Sequence, residues 1–249
     1  PGTVCSGNLG EVFRLNSDRC MRGKRGIAMI RCCIFDLDGT LLNTLDALTY
    51  TTNLTLKEFG YGPVGEEQVK QFVGDGYRMQ VKRALQYCGD EKLTHYEEAL
   101  SVYMKLFAEH CLYHVRPYDG IRELLETLKK QGIHIAVLSN KPHARTVENI
   151  ESVFGKGYFD VVAGQKDEIP KKPDPAGVNL ILEQFGCKPE ECLYFGDTNT
   201  DMQTGLNAKA HTVGVTWGFR GREELEAFHP DFVIDEPQTV IEKILKFYV

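Results

Sequence analysis

No apolar run in this chain approaches the length of about 20 residues needed to cross a bilayer, so no membrane-spanning helix is expected. Basic residues gather into no stripe along the fold, and the net charge is −6, which argues against a nucleic-acid surface. The eight cysteines (5, 20, 32, 33, 88, 111, 187 and 192) include no C-x-x-C and no zinc-like pairing with histidine. The seven histidines form no H-E-x-x-H cluster. At this length and spacing the thiols read as reduced, mostly buried groups of a cytoplasmic protein rather than a disulfide framework. Internal repeats and low-complexity segments are also missing. What remains is an ordinary globular composition, 42% hydrophobic and 26% charged over 249 residues. That is enough for one large domain, or one domain carrying a smaller insertion.

The most informative stretch is Cys33-Ile34-Phe35-Asp36-Leu37-Asp38-Gly39-Thr40-Leu41-Leu42. Its apolar start reads as a buried strand, ending in two acids and a glycine. Side chains at i and i+2 of an extended chain point the same way, so Asp36 and Asp38 face one site. In open α/β sheets ligands sit beyond the carboxyl ends of the strands, where these acids fall. Two carboxylates about 4 Å apart repel by roughly 4 kcal/mol at an effective dielectric near 20. Such an arrangement persists when a cation or a proton sits between them. The plainer reading is a surface turn, since Asp, Gly and Thr are common turn residues.

Residues 1–28 differ in character from the rest of the chain, with five glycines (2, 7, 10, 23 and 26) and a basic cluster at Arg19, Arg22, Lys24 and Arg25. No apolar core comes after that cluster, so a secretory signal is not expected. Met29 stands just before the first strand, and 1–28 is read as an N-terminal extension, non-native or mis-assigned. From 44 to 115 the pattern is helical, with no convincing strand. Leu45, Leu48, Thr52 and Phe59 open one helix, 68–73 and 79–87 read as shorter ones, and Leu100, Tyr103, Phe107 and Cys111 mark one face of a longer one. About seventy helical residues after a single strand predict an inserted helical domain. After Arg116-Pro117, helix and strand alternate, the mark of a parallel sheet with crossover helices. Strands are predicted at 133–138, 159–163, 192–195, 212–215 and 232–234. Helices are predicted after Pro142 and at about 175–185, 200–208 and 238–247, besides one carried by Ile121, Leu124, Leu125 and Leu128. The fold class is thus α/β: a Rossmann-like parallel-sheet core, 29–43 and 116–249, with an inserted α-helical domain, 44–115.

Three further fragments fall at strand ends. Ser139-Asn140-Lys141-Pro142 places hydroxyl and amide groups at a helix start, suited either to an anion or to plain capping. Lys171-Lys172-Pro173-Asp174-Pro175 offers cations that either neutralise phosphate oxygens or simply face solvent. Gly196-Asp197-Thr198-Asn199-Thr200-Asp201 supplies two more acids, or an N-cap. Convergent carboxylates need a cation, and oxygen-only ligands suit Mg²⁺.

The order DxDGT, S-N, K-P-D-P, GDxxxD resembles the four signatures of the haloacid-dehalogenase (HAD) superfamily of aspartate-nucleophile phosphohydrolases, over residues 30 to 235. The stretch Phe72-Val73-Gly74-Asp75-Gly76, with Arg83-Ala84-Leu85, is most similar to its phosphoglycolate-phosphatase-like branch. The resemblance implies hydrolysis of a phosphate monoester through an aspartyl-phosphate. Asp36 is the nucleophile and Asp38 the acid and base. Ser139, Asn140 and Lys172 hold phosphoryl oxygens, with the N–H groups near Leu37 and Thr40 as further phosphate donors. Mg²⁺ is held by Asp36, the Asp38 carbonyl and Asp197, with Asp201 acting through water or by orienting other groups. Lys172 rather than Lys171 matches the third signature. The resemblance also implies a small phosphorylated metabolite such as 2-phosphoglycolate as substrate and a helical cap over the site, with Asp75, Gly76, Arg78, Lys82 and Arg83 as candidates for specificity.

Neighbouring activities stay open to different degrees. A dehalogenase and a phosphonate-cleaving enzyme would not need Asp38. A sugar-phosphate mutase or a pyrophosphatase keeps both acids. A response-regulator receiver is about half this length and has no helical insertion. A non-catalytic binding protein would not need the intact acid set. Oligomeric state is not legible.

Overall fold

A computed structural model describes residues 29–248; the expected extension over 1–28 lies outside the described residues. The chain opens with β1 (Cys32–Phe35) and a short β2 (Leu42–Asn43), then passes through four helices, α1 (Leu45–Glu58), α2 (Glu66–Phe72), α3 (Tyr77–Tyr87) and α4 (Tyr96–His110). It returns through β3 (Arg116–Pro117), α5 (Ile121–Lys130), β4 (His134–Pro142), α6 (His143–Phe154), β5 (Val161–Gln165) and α7 (Ala176–Phe185). β6 (Cys192–Gly196), α8 (Asn199–Asn207), β7 (His211–Val215), α9 (Arg222–Glu226) and β8 (Phe232–Ile234) come next, and α10 (Leu245–Phe247) ends the described chain.

Six strands form a parallel sheet in the order β5-β4-β1-β6-β7-β8. β1 is buried along its whole length, as a central parallel strand covered on both faces must be. Its alternate residues enter opposite layers. Cys33 and Phe35 pack with Leu124, Leu125 and Leu128 of α5 and Ile150 of α6, whereas Cys32 and Ile34 pack with Val178, Ile181 and Leu182 of α7. The register pairs Phe35 with Val137 on one side and Phe195 on the other. The carboxyl ends of β1 and β6 are therefore level, beside Val137 of β4, and β4 runs on past them.

Local chemistry explains several boundaries. In α5 the buried positions Ile121, Leu124, Leu125 and Leu128 follow helical spacing. The helix stops where Gly132 takes φ +73°, with the Ile133 N–H returned to the Leu128 carbonyl at 3.0 Å. β4 runs beyond the predicted Leu138 to Pro142, because Pro142 stays extended opposite Gln165 after a bulge. Pro142 is thus the N-cap of α6 rather than its first residue. The expected single helix at 238–247 is instead a π turn, Val240–Ile244, running into α10. α9, five residues with one buried side chain, Leu225, is too short to show a period.

The helices between β2 and β3 have their own apolar cluster, including Leu48, Leu56, Val69, Phe72, Leu85, Tyr103 and Phe107. β2 and β3 pair antiparallel, Leu42 with Pro117 and Asn43 with Arg116, so both crossings lie side by side. No described helix is long and apolar enough to cross a membrane. The described cysteines are free thiols.

Candidate active site

Asp36 leaves β1 with its N–H still bonded to the Phe195 carbonyl at 2.9 Å, which holds its position against β6. The chain then turns at Gly39, φ +90°, where a Cβ would stand 2.2 Å from Asp197 Oδ2. Only glycine fits that approach. Asp197 and Asp201 come from the β6 end and the first turn of α8, and Lys172 from the loop before α7.

The Lys172 Nζ lies 2.6 Å from Asp36 Oδ1 and 2.7 Å from Asp201 Oδ1. Asp201 also accepts from Thr198 Oγ1 at 2.6 Å and Tyr194 Oη at 3.3 Å. Asp197 accepts from the Phe219 N–H at 2.7 Å and from Thr40 Oγ1 at 3.2 Å. Asp36, Asp197 and Asp201 each offer an oxygen within 4.8 Å of the others, and all three are buried. Burial, reinforced by the charge of Asp201 and opposed by Lys172, pushes the Asp36 carboxyl up to about 7. Burial, followed by repulsion from Asp201 and Asp36, raises Asp197 too. Lys172 is held in its charged form because the two neighbouring carboxylates outweigh burial. Three buried carboxylates facing one ammonium leave excess negative charge, and an all-oxygen donor set fits a hard divalent cation.

Asp38 is placed apart from this triad. Its carboxylate pairs with Lys141 Nζ at 2.6 Å, so a role for Asp38 in holding a cation would fall to its backbone carbonyl. Asp36, Asp38, Ser139, Asn140 and Lys141 line one wall of a cavity, and side chains of α1, α3 and α4 line the other.

Two expected phosphate ligands are otherwise engaged. The Asn140 amide donates to the Lys172 carbonyl at 3.1 Å and the Gly74 carbonyl at 3.2 Å, and accepts from the Lys172 N–H at 2.9 Å. It fastens the Lys172 loop to β4 and reaches the helical segment, so its side-chain amide is spent on backbone partners. The Thr40 hydroxyl is spent on Asp197 and its carbonyl accepts from Trp217 Nε1 at 3.0 Å, so Thr40 orders a carboxylate instead of facing the cavity. Ser139 does line the cavity, its oxygen accepting from the Lys141 N–H at 3.2 Å.

Of the positions expected to set specificity, Gly76 lines the cavity. Asp75 accepts from Thr200 Oγ1 at 2.7 Å and pairs with Arg83 at 2.5 Å. The sequence pattern alone does not single out Lys141, though it lies two residues past Ser139 on extended chain, the same i, i+2 signal that marks Asp36 and Asp38. Nor does it single out the loop after β7, where Phe219 holds Asp197 and Arg220 donates to the Lys70 and Val73 carbonyls at the end of α2.

The family model described as haloacid dehalogenase-like hydrolase matches residues 33–215. A phosphoglycolate phosphatase of Pseudomonas putida is 33% identical over 219 residues, covering 85% of this chain and 78% of that protein. One from Aquifex aeolicus is 32% identical, covering 85% and 95%. Among solved structures, a protein of Lactobacillus delbrueckii subsp. bulgaricus, provisionally named a phosphoglycolate phosphatase, superposes with a TM-score of 0.81 at 29% identity, covering 87% of this chain and 98% of that one. A haloacid dehalogenase-like hydrolase of Streptococcus pneumoniae shares the fold at a TM-score of 0.76 and 22% identity, covering 86% and 98%.

Proposed function

Because the chain belongs to the haloacid dehalogenase-like hydrolase family and is a phosphatase, we propose that it hydrolyses small phosphate monoesters with Mg²⁺, 2-phosphoglycolate foremost. The observation that carries this reading is the meeting of Asp36, Lys172, Asp197 and Asp201 from three distant chain segments, with Asp38 on the same cavity wall as Asp36. The substrate class comes from the named activity of the relatives.

In this reading a carboxylate oxygen of Asp36 attacks phosphorus and the bond from phosphorus to the leaving oxygen breaks. Asp38 gives its proton to that oxygen, releasing an alcohol, then accepts a proton from the water that attacks the aspartyl-phosphate. Inorganic phosphate leaves and both acids return to their starting forms. Lys172, Ser139 and the Asn140 backbone N–H neutralise and orient the phosphoryl oxygens, where position and charge supply most of the catalysis. Asp36, the Asp38 carbonyl and Asp197 would hold Mg²⁺, with Asp201 behind them. Its charge, when bound, offsets the approach of one anion to another. The helices α1–α4 act as a cap over the leaving group.

The test is hydrolysis of p-nitrophenyl phosphate and a panel of phosphate esters with Mg²⁺, comparing kcat/KM. Asp36→Asn is expected to abolish turnover, and wild-type rates in that variant would refute the nucleophile. Highest kcat/KM for 2-phosphoglycolate supports the substrate class; a sugar phosphate or pyrophosphate ahead of it would replace it.

A further inference from the structure

We infer that Lys141 receives a carboxylate on the substrate's leaving group and so sets the preference for acidic esters. The inference rests on the phosphatase reading above and deepens it. Beyond Asp36, Asp38 and Lys141, the cavity is walled by side chains that carry no charge. Leu48, Val73, Tyr77, Tyr103, Phe107 and Phe219 make it largely apolar and aromatic. Gln80 also faces it, but its amide carries no charge, donates to Thr52 Oγ1 at 3.0 Å and accepts from Tyr103 Oη at 3.2 Å. Among the described residues that line the cavity, Lys141 is the one cation.

The cations of the helical segment point elsewhere. Arg83 is bound to Asp75 and to the Phe72 carbonyl at 2.9 Å, and Arg78 lies 5.4 Å from the Tyr77 ring centroid, outside the cavity lining. Lys172 is held between Asp36 and Asp201. A leaving group that carries a carboxylate therefore meets a single fixed positive charge, in surroundings where an unpaired anion is costly.

Position favours the same residue. The Lys141 side chain is 3% exposed, its Nζ lying 2.6 Å from Asp38 and 5.1 Å from the Phe107 ring centroid. An ammonium has three protons, and the bond to Asp38 uses one. In 2-phosphoglycolate the carboxylate is one methylene from the oxygen that Asp38 protonates. A group that binds this carboxylate must stand next to Asp38, as Lys141 does. The charge comes from the sheet core, beside the phosphoryl-binding residues, and the helical segment supplies the apolar walls.

The experiment compares 2-phosphoglycolate with ethyl phosphate, in which a methyl replaces the carboxylate, for the wild type, Lys141→Met and Lys141→Arg with Mg²⁺. Loss of the Asp38 contact acts on both esters alike, so the ratio of their kcat/KM values isolates the carboxylate. The wild type is expected to prefer 2-phosphoglycolate. Lys141→Met is expected to lower that preference by roughly 10- to 100-fold, the scale of one hydrogen bond to a charged group. Lys141→Arg should recover part of it. Circular dichroism checks folding; should Lys141→Met be unfolded, Lys141→Gln carries the same comparison. Equal losses on both esters, or no wild-type preference for 2-phosphoglycolate, overturn the assignment and leave the phosphatase reading standing. A wild type that hydrolyses neither ester overturns both.

Discussion

Lys172 sits between two buried carboxylates, and removing it leaves both without their counter-ion. Breaking a buried pair in this way costs on the order of 3–5 kcal/mol. Lys172→Met should therefore lose stability on that scale in urea with EDTA, and recover part of it when Mg²⁺ is added, since a ligand that binds only the folded state stabilises it. An unchanged midpoint would mean that the excess charge is carried elsewhere. Asp36 gives the opposite sign. Its folded carboxyl titrates near 7, above its ordinary range, so the folded state holds more protons than the unfolded chain between about pH 4 and pH 7. Stability from this group is greatest below the unfolded value and declines as pH rises through the folded one. Without metal, Asp36→Asn should be more stable than the wild type at pH 8, with the difference shrinking towards pH 4. Denaturation at both pH values checks this, and a difference that grows on acidification would refute it. Asp38→Asn is expected to lower kcat by roughly 10²–10⁴-fold. The carboxylates were legible in the sequence because strand alternation and strand ends are local. The engagement of Asn140 with the Lys172 loop was not, nor that of Thr40 with Asp197, because each partner is far along the chain.

Elements with a clear period were the readable ones: α1, α4, α5 and the strands fall within a few residues of where alternation and helical spacing place them. α9 and the β2–β3 pair carry too few residues for any period, and the π turn at Val240–Ile244 keeps an apolar pattern that an α-helix shares. The turn between α2 and α3 is defined by partners rather than by pattern. Asp75 joins it to Thr200 of α8 and to Arg83 of α3, and its carbonyl accepts from Lys171 Nζ at 3.0 Å. Burial pushes the Asp75 carboxyl up, but the hydrogen bonds from Thr200 and Arg83 outweigh it, so the net shift is downward. Stability from Asp75 is thus present above its unfolded pKa and lost as pH falls through the lower folded value. Asp75→Ala frees the turn, which carries Gly74, the acceptor of Asn140, and Gly76 of the cavity wall. We expect a rise in KM larger than the fall in kcat, with faster amide exchange at 73–76. A variant with wild-type KM and exchange would show that the remaining contacts suffice.

Across the whole molecule, two self-contained apolar clusters flank the sheet and a third fills the helical segment, which is tied to the sheet by the paired crossings β2 and β3. Where the α2–α3 turn meets the core, the bonds are polar: Asp75 to Thr200, Asn140 to Gly74, Lys171 to Asp75 and Arg220 to Val73. Polar contacts exchange with water at a net cost of only about 1 kcal/mol each, whereas separating an apolar core would not. We propose that the helical segment parts from the sheet core at this seam, with Phe219 of the core the apolar side chain that must leave the helical cluster, which gives substrate a way in. On closing, the apolar walls contributed by α1, α3 and α4 leave little room beyond the reacting oxygen. Activity should then fall steeply with leaving-group bulk, from ethyl phosphate through hexose phosphates to a phosphopeptide, with the loss in kcat because bulky groups hold the seam open. Comparable kcat for the peptide and the smallest ester would mean that the helices do not close over the leaving group during turnover.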